Sequence, residues 1–323
     1  VGQAGAPAGA PAAPGPGRVR AVFSDMDGTI VHYPDSFVEA GEWAGPSASG
    51  RGLLFRAQDT GEVAEILPLP PSVSTGVQGF ISANTLGLVK RLRGHGCRFV
   101  VISGCRFSTM MTRLPWLPAS DAIVMENGGR ILFPDPESLC ASPLVEDAAW
   151  RQRMEPAAGP ASQDKLKPAE RQGPLWDLYR KLTAEGWKLD TDSYATMFRV
   201  KVKGGKTREE LQEALRGLPP CLKTSVNLGS TDVYPVASGK DSAVAYLLQK
   251  WGLRGEDAAT MCDDDNDLGM ATLTGRVFCP TVSAESVRRA IEADPSRFVV
   301  AKRLGSFASD EVLEQIVDLV DAP

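Results

Sequence analysis

Four short stretches of this chain place carboxylates, a hydroxyl and cations in patterns that can do chemistry. Asp25 and Asp27 are two residues apart, and on an extended segment that spacing points both side chains the same way. A free aspartate, with a reference pKa of about 3.9, is ionised near neutral pH. Asp263-Asp264-Asp265-Asn266-Asp267 is a run of five polar residues between Met261-Cys262 and Leu268. A charge run is usually a solvated loop, but apolar residues bound this one on both sides. Crowding Asp25, Asp27, Asp263 and Asp267 together is costly unless a cation neutralises them. Hard oxygen ligands select a hard cation, and Mg²⁺ fits best. Ser103 offers a hydroxyl to a phosphate oxygen, Gly104 lets a backbone approach closely, and Arg106 can pair with an anionic substrate. Lys240 opens a helix, the end at which the dipole favours anions, so an anion beside it would account for it. A bound cation, a carboxylate nucleophile and cationic donors together suit attack on phosphorus, with a second carboxylate to protonate the leaving oxygen and later activate water.

Each stretch also has a plainer explanation. Asp25 and Asp27 can form an Asx-type turn with Gly28 and Thr29, Ser-Gly is a turn signal, and an exposed lysine solubilises. Glu126-Asn127-Gly128-Gly129 is a turn on composition alone. What outweighs these readings is placement. Apolar runs at 19–24, 99–102, 122–125, 258–262, 276–279 and 297–301 read as buried strands, and helical patterns lie between them. Ser82 is a plausible N-cap for a helix with Leu88, Val89 and Leu92 inward. Val244, Leu247, Leu248 and Trp251 mark another, stopped by Gly252. Alternating strands and helices predict an α/β fold, a Rossmann-like doubly wound parallel sheet covered on both faces. Ligands of such sheets bind beyond the carboxyl ends of the strands, and three of the polar clusters follow three strands there.

The middle of the chain reads differently. Residues 135–172 are loop-like, rich in Pro, Ala and charge. A helix through Leu175, Leu178, Tyr179 and Leu182 follows, then a half-wet strand with Phe198, Val200 and Val202. Thr207 and Glu210 resemble a capping box, and strands are expected near 223–226 and 232–236. The expected organisation is a core domain of 18–134 and 237–323 with an inserted α+β cap domain, 135–236. Residues 31–80 form a second insertion, too long for an ordinary connection, with a surface hairpin expected at 53–67 and turning at Asp59-Thr60-Gly61. Residues 1–17, almost wholly Ala, Gly, Pro, Val and Gln, are expected to be disordered.

Composition narrows the function class. The 323 residues allow about two domains. With 43% apolar and 23% charged residues the chain has a soluble globular profile. A net charge of −5 argues against non-specific nucleic-acid binding. No apolar run is long enough to cross a bilayer. The cysteines, Cys97, Cys105, Cys140, Cys221, Cys262 and Cys279, include no CxxC pair, and only His32 and His95 could join them on zinc. A disulfide scaffold is not expected, nor a secretory signal, and the cytoplasm or a plastid stroma is the expected compartment. Oligomeric state is left open.

The motifs in order, Asp25-Met26-Asp27-Gly28-Thr29, Ser103, Lys240 and Asp263-Asp264-Asp265-Asn266-Asp267, resemble those of the haloacid dehalogenase superfamily of phosphohydrolases. The match is to its Cof-like, sugar-phosphatase-like branch with a large cap, and Glu126-Asn127-Gly128-Gly129 is similar to that branch too. The resemblance implies a Mg²⁺-dependent phosphatase acting on a small phosphorylated metabolite, a sugar phosphate or related monoester, through an aspartyl-phosphate. It implies Asp25 as nucleophile and Asp27 as general acid/base. The metal set would be Asp25, Asp27 through its carbonyl, Asp263 and Asp267. Ser103 and Lys240 would hold the phosphoryl group. Thr29, Gly104 and Arg106 would complete the substrate and phosphate contacts, and Asn127 and Asn266 would touch the substrate or order the loops. Departures from the pattern are Cys262 before the metal-binding Asp, Cys105 ahead of Arg106, and the long spacing after Asp27. A phosphotransferase or mutase on the same scaffold, and a catalytically silent binding protein, are the alternatives.

Overall fold

A computed structural model describes residues 18–321 apart from 74, 140–142 and 228. The predicted tail, 1–17, and Cys140 lie outside the described residues. The frame is an eight-stranded sheet. Its order runs Phe298–Val300, Arg276–Cys279, Ala258–Met261, Ala21–Asp25, Arg98–Ile102, Ala122–Met125, Arg130–Pro134, Leu144–Glu146. The first six are parallel, and Arg130–Pro134 pairs antiparallel with the strand on each side of it. Leu144–Glu146 pairs with Arg130–Pro134, so the large sheet continues past residue 134, where the sequence suggested the core would break.

The buried strands are continuous apolar runs because helices cover both faces. Ala21 and Phe23 face one layer with Val100, Val124, Val244 and Leu247, while Val22 faces the other with Phe99, Val101, Leu88 and Val312. That alternation follows from the two-residue period of a strand. Helix Lys240–Trp251 thus lies on one face, and helices Ala83–Gly94 and Ser306–Asp321 on the other. Ser82 caps the second of these, its side chain accepting from the Asn84 amide.

Two antiparallel sheets flank this frame. One has the order Lys188–Asp190, Phe198–Lys201, Ser230–Pro235, Leu222–Asn227. Helices Ala148–Ala158 and Pro174–Ala184 contribute Trp150, Met154, Leu175 and Trp176 to its apolar layer, which is continuous with one face of the large sheet. Thr207 and Glu210 form a reciprocal capping box on the short helix Arg208–Ala214. The other sheet is built by Gly41–Pro46, Leu53–Ala57, Val63–Pro68 and Phe80–Ser82. A lone hairpin was expected at 53–67. The hairpin is one half of a four-stranded sheet, because Phe37, Phe55 and Ile66 find an apolar partner in Phe307 at the start of the last helix. No helix among the described residues is long and apolar enough to cross a membrane.

Candidate active site

Asp25 ends the fully buried strand Ala21–Asp25, at the point where successive strands change direction across the sheet. Register places Asp25 beside Ile102 and Ser24 beside Met261, so the loops carrying Ser103 and Asp263 leave the sheet at the same edge as Asp25. Lys240 is the first residue of its helix and is buried. Its ammonium donates to Asp25 Oδ1 and Asp267 Oδ1, both at 2.5 Å, and reaches Asn266 Oδ1 at 3.5 Å. Gly128 (φ +84°) packs against the residue before that lysine: a Cβ there would sit 2.1 Å from the Gly239 carbonyl oxygen. The Glu126–Gly129 turn therefore fixes where the lysine helix begins.

Asp25, Asp263 and Asp267 are buried, and each offers one oxygen within 4.8 Å of the others. Burial first, and then the charge of Asp267, push Asp263 up to about 7 and Asp25 well above the usual carboxylate range. Burial pulls the Lys240 ammonium down, but Asp25 and Asp267 together outweigh it and raise its pKa. One cation thus faces three carboxylates, and Asp267 Oδ2 is buried with no hydrogen-bond partner among the described residues. An all-oxygen donor set with surplus negative charge and an orphaned acceptor fits a hard divalent cation.

Asp27 stands apart from that trio. The sequence suggested four crowded carboxylates; three gather. Arg113 Nη1 and the Tyr33 hydroxyl hold Asp27 Oδ1 at 2.7 and 2.5 Å. Neither partner was anticipated. Tyr33 carries no spacing signal. The available cue for Arg113 was a single cation amid Met110, Met111 and Leu114, the mark of a charge about to be buried with a partner.

A cavity of about 660 Å³ opens over these groups. Asp25, Asp27, Ser103, Gly104, Lys240, Asp263 and Asn266 line its floor, Tyr194, Arg199 and Val226 come from one flanking sheet, and Tyr33, Thr75 and Val77 come from the other insertion. Ser103 is buried at the floor, its hydroxyl accepting from the Cys105 amide at 3.1 Å.

Three of the residues expected near the ligand make contacts within the protein. Thr29 is fully buried and donates to Asp263 Oδ1 at 2.9 Å, so it orients that carboxylate and does not line the cavity. Arg106 spends its guanidinium on Asp190 (2.7 Å) and Asp192 (2.9 Å) and lies over the Tyr194 ring. It ties the Ser103 loop to the flanking sheet and lines the cavity beside it. Asn127 donates to Asp232 at 2.8 Å, and its carbonyl accepts from Ser238 at 2.9 Å, so it orders loops. Asp232 also takes both arms of Arg199.

A family model described as sucrose-6F-phosphate phosphohydrolase matches residues 178–288. No curated protein sequence matches the chain. Solved structures share the fold at low identity. A Thermoplasma acidophilum protein (0175) is 11% identical over 94% of this chain and 99% of its own, with a TM-score of 0.56. The sucrose-phosphatase of Synechocystis sp. PCC6803, solved in complex with sucrose and phosphate, is 13% identical over 93% and 98%, with a TM-score of 0.55. BT1666 of Bacteroides thetaiotaomicron, a phosphatase of the haloalkanoate (HAD) superfamily, is 11% identical over 95% and 99%, with a TM-score of 0.56. The sucrose-phosphatase model is thus similar to residues 178–288, and solved structures that include a phosphatase of the HAD superfamily share this fold across nearly the whole chain.

Proposed function

We propose that the protein hydrolyses a small phosphomonoester, a sugar phosphate or close relative, with Mg²⁺ and through a phosphoryl group carried on Asp25. The observation that carries this reading is the buried Asp25–Lys240–Asp267–Asp263 cluster at the floor of a cavity large enough for a sugar phosphate. The Synechocystis protein was solved with sucrose and phosphate together, which supports a sugar-bearing ester. The domain reading belongs to the same proposal: 18–134 and 237–323, joined by the strand Leu144–Glu146 that extends their sheet, act as the catalytic core, and the rest of 135–236 acts as a cap over it.

In this reading a carboxylate oxygen of Asp25 attacks phosphorus, and the bond from phosphorus to the ester oxygen breaks. The electron pair goes to that oxygen, and Asp27 protonates it. Water then attacks the same phosphorus while Asp27 accepts its proton, and inorganic phosphate leaves with Asp25 restored. Lys240 holds Asp25 in place and, with Ser103, balances charge on the phosphoryl oxygens. Asp25, Asp263, Asp267 and the Asp27 carbonyl would hold Mg²⁺, which supplies charge neutralisation at phosphorus. Thr29 keeps Asp263 turned toward that place. The test is phosphate release from a panel of phosphorylated metabolites, with Mg²⁺ and with chelator, beside an Asp25→Asn control. Chelator-sensitive release absent from the variant supports the reading, and release that persists in Asp25→Asn sinks it.

A further inference from the structure

Arg113 is 1% exposed and among the largest fully buried side chains of the protein. Its Nη1 donates to Asp27 Oδ1 at 2.7 Å and to the Tyr33 hydroxyl at 3.1 Å. Among the described residues its Nε and Nη2 have no hydrogen-bond partner. Three buried N–H bonds left unmade are costly, and such a group in a native fold calls for an explanation. Asp27 is the one carboxylate with which Arg113 forms an ion pair among the described residues. Tyr33 donates to the same Oδ1 at 2.5 Å. Two donors on one oxygen fix the carboxyl's rotation and leave Oδ2 for the cavity, which Asp27 and Tyr33 both line.

The elements that arrange this lie outside the four motifs. Tyr33 begins the 31–80 insertion. Arg113 ends the short helix Phe107–Arg113. Gly79, at the far end of the insertion, closes on both: a Cβ there would stand 2.9 Å from Val31 Cγ1 and 3.3 Å from Arg113 Nη2. Residue 80 is then tied to His32 by paired backbone hydrogen bonds. The inserted sheet thus returns the chain to its starting point and shuts the space around the guanidinium.

We propose that Tyr33 and Arg113 are positioning residues that hold Asp27 with Oδ2 facing the ester oxygen, and that the inserted sheet exists in part to hold them there. The inference rests on Asp27 being the acid and base of the proposed hydrolysis. Its chemical consequence depends on the leaving group. When the ester bond breaks, an alkoxide must take a proton from Oδ2, whereas a nitrophenolate leaves without one. A carboxyl free to rotate therefore fails the alkyl ester and spares the aryl ester.

The test is kcat/KM, which reports the step up to ester cleavage, for Tyr33→Phe, Arg113→Gln and Asp27→Asn. Each is assayed with Mg²⁺ on the best sugar phosphate and on para-nitrophenyl phosphate. Tyr33→Phe should lose about tenfold and Arg113→Gln about a hundredfold on the sugar phosphate, against at most about threefold on the aryl ester. Tyr33→Phe keeps the ring and removes one hydroxyl at the cavity edge, so it carries the test if Arg113→Gln fails to fold. Equal losses on both esters, or no loss, overturn the positioning role. If Asp27→Asn itself loses both esters equally, the acid role of Asp27 falls and the positioning role falls with it. If Asp27→Asn discriminates and the other two do not, only the positioning role is overturned.

Discussion

Replacing Lys240 with methionine should cripple the site and unbalance the fold together, with a pH signature that separates the two effects. The ammonium makes 2.5 Å contacts with Asp25 and Asp267, and all three groups are buried. Methionine keeps much of the stem's volume and removes the charge. Taking one partner from a buried ion pair costs about 3–5 kcal/mol when the remaining charge stays ionised. Here the carboxyls have an escape. Burial already raises Asp25 and lifts Asp263 to about 7; Lys240 is the main influence opposing the rise at Asp25, and it acts beside the Thr29 hydrogen bond at Asp263. Without it they take up protons at neutral pH. A carboxyl whose folded pKa lies above its unfolded value stabilises the fold when protonated, and that stability is lost as pH rises through the folded pKa. The deficit of Lys240→Met should therefore be largest at pH 8 and shrink toward pH 5. Urea midpoints at three pH values measure it, since a shift at constant m is a shift in stability. Phosphate release should fall about 10³-fold, since a phosphoryl donor is gone and the nucleophile is protonated. A variant as stable as the parent at pH 8, or active within about tenfold, would refute the charge balance drawn here.

Three further outcomes follow from the same geometry. Mg²⁺ should raise the melting temperature of the parent, by the equivalent of about 2.7 kcal/mol at a hundred times its Kd, and do so far less for Asp263→Asn; equal shifts by calorimetry would place the ion elsewhere. His32 and Asp310 should impose opposite pH slopes on stability. Burial lowers His32 to about 4, so its share of stability is lost as pH falls from 6.5 toward 4. Burial raises Asp310 to about 6, so its share is lost as pH rises through that value. Asp310→Asn should then be more stable than the parent at pH 8, by up to roughly 3 kcal/mol, and unmask the His32 slope below pH 6; a parent-like stability curve counts against it. Gly128→Ala should lower both stability and turnover, because its Cβ meets the Gly239 carbonyl and displaces the start of the Lys240 helix. A crystal structure of that variant with Lys240 unmoved would contradict the coupling.

Much of the frame was legible because its strands are buried on both faces. Runs such as Ala21–Asp25 and Ala122–Met125 have no wet face to obscure them, and the polar residues that follow them stand out. The site was legible where a residue's type and its place agreed, after a strand for Asp25, Ser103 and Asp263 and at a helix start for Lys240. It was not legible where a long-range partner decides a side chain's fate. Arg106 was assigned to substrate because nothing near it in sequence shows that Asp190 and Asp192 lie within reach. The contacts that Thr29 and Asn127 make were hidden for the same reason, their partners Asp263 and Asp232 being far along the chain. The insertion was read as a hairpin because its outer strand, Gly41–Pro46, is mostly exposed and carries little apolar pattern. Phe307, which completes its core, lies more than two hundred residues away.

The central claim is that Asp25 carries the phosphoryl group during turnover. Rapid acid quench of the enzyme mixed with its best substrate and Mg²⁺, followed by peptide mass spectrometry, tests it directly. The account predicts one added phosphoryl mass on the peptide containing Asp25, rising within the first turnover and absent from Asp25→Asn. Full turnover with no phosphorylated peptide at any quench time, or with the group on another residue, would contradict it.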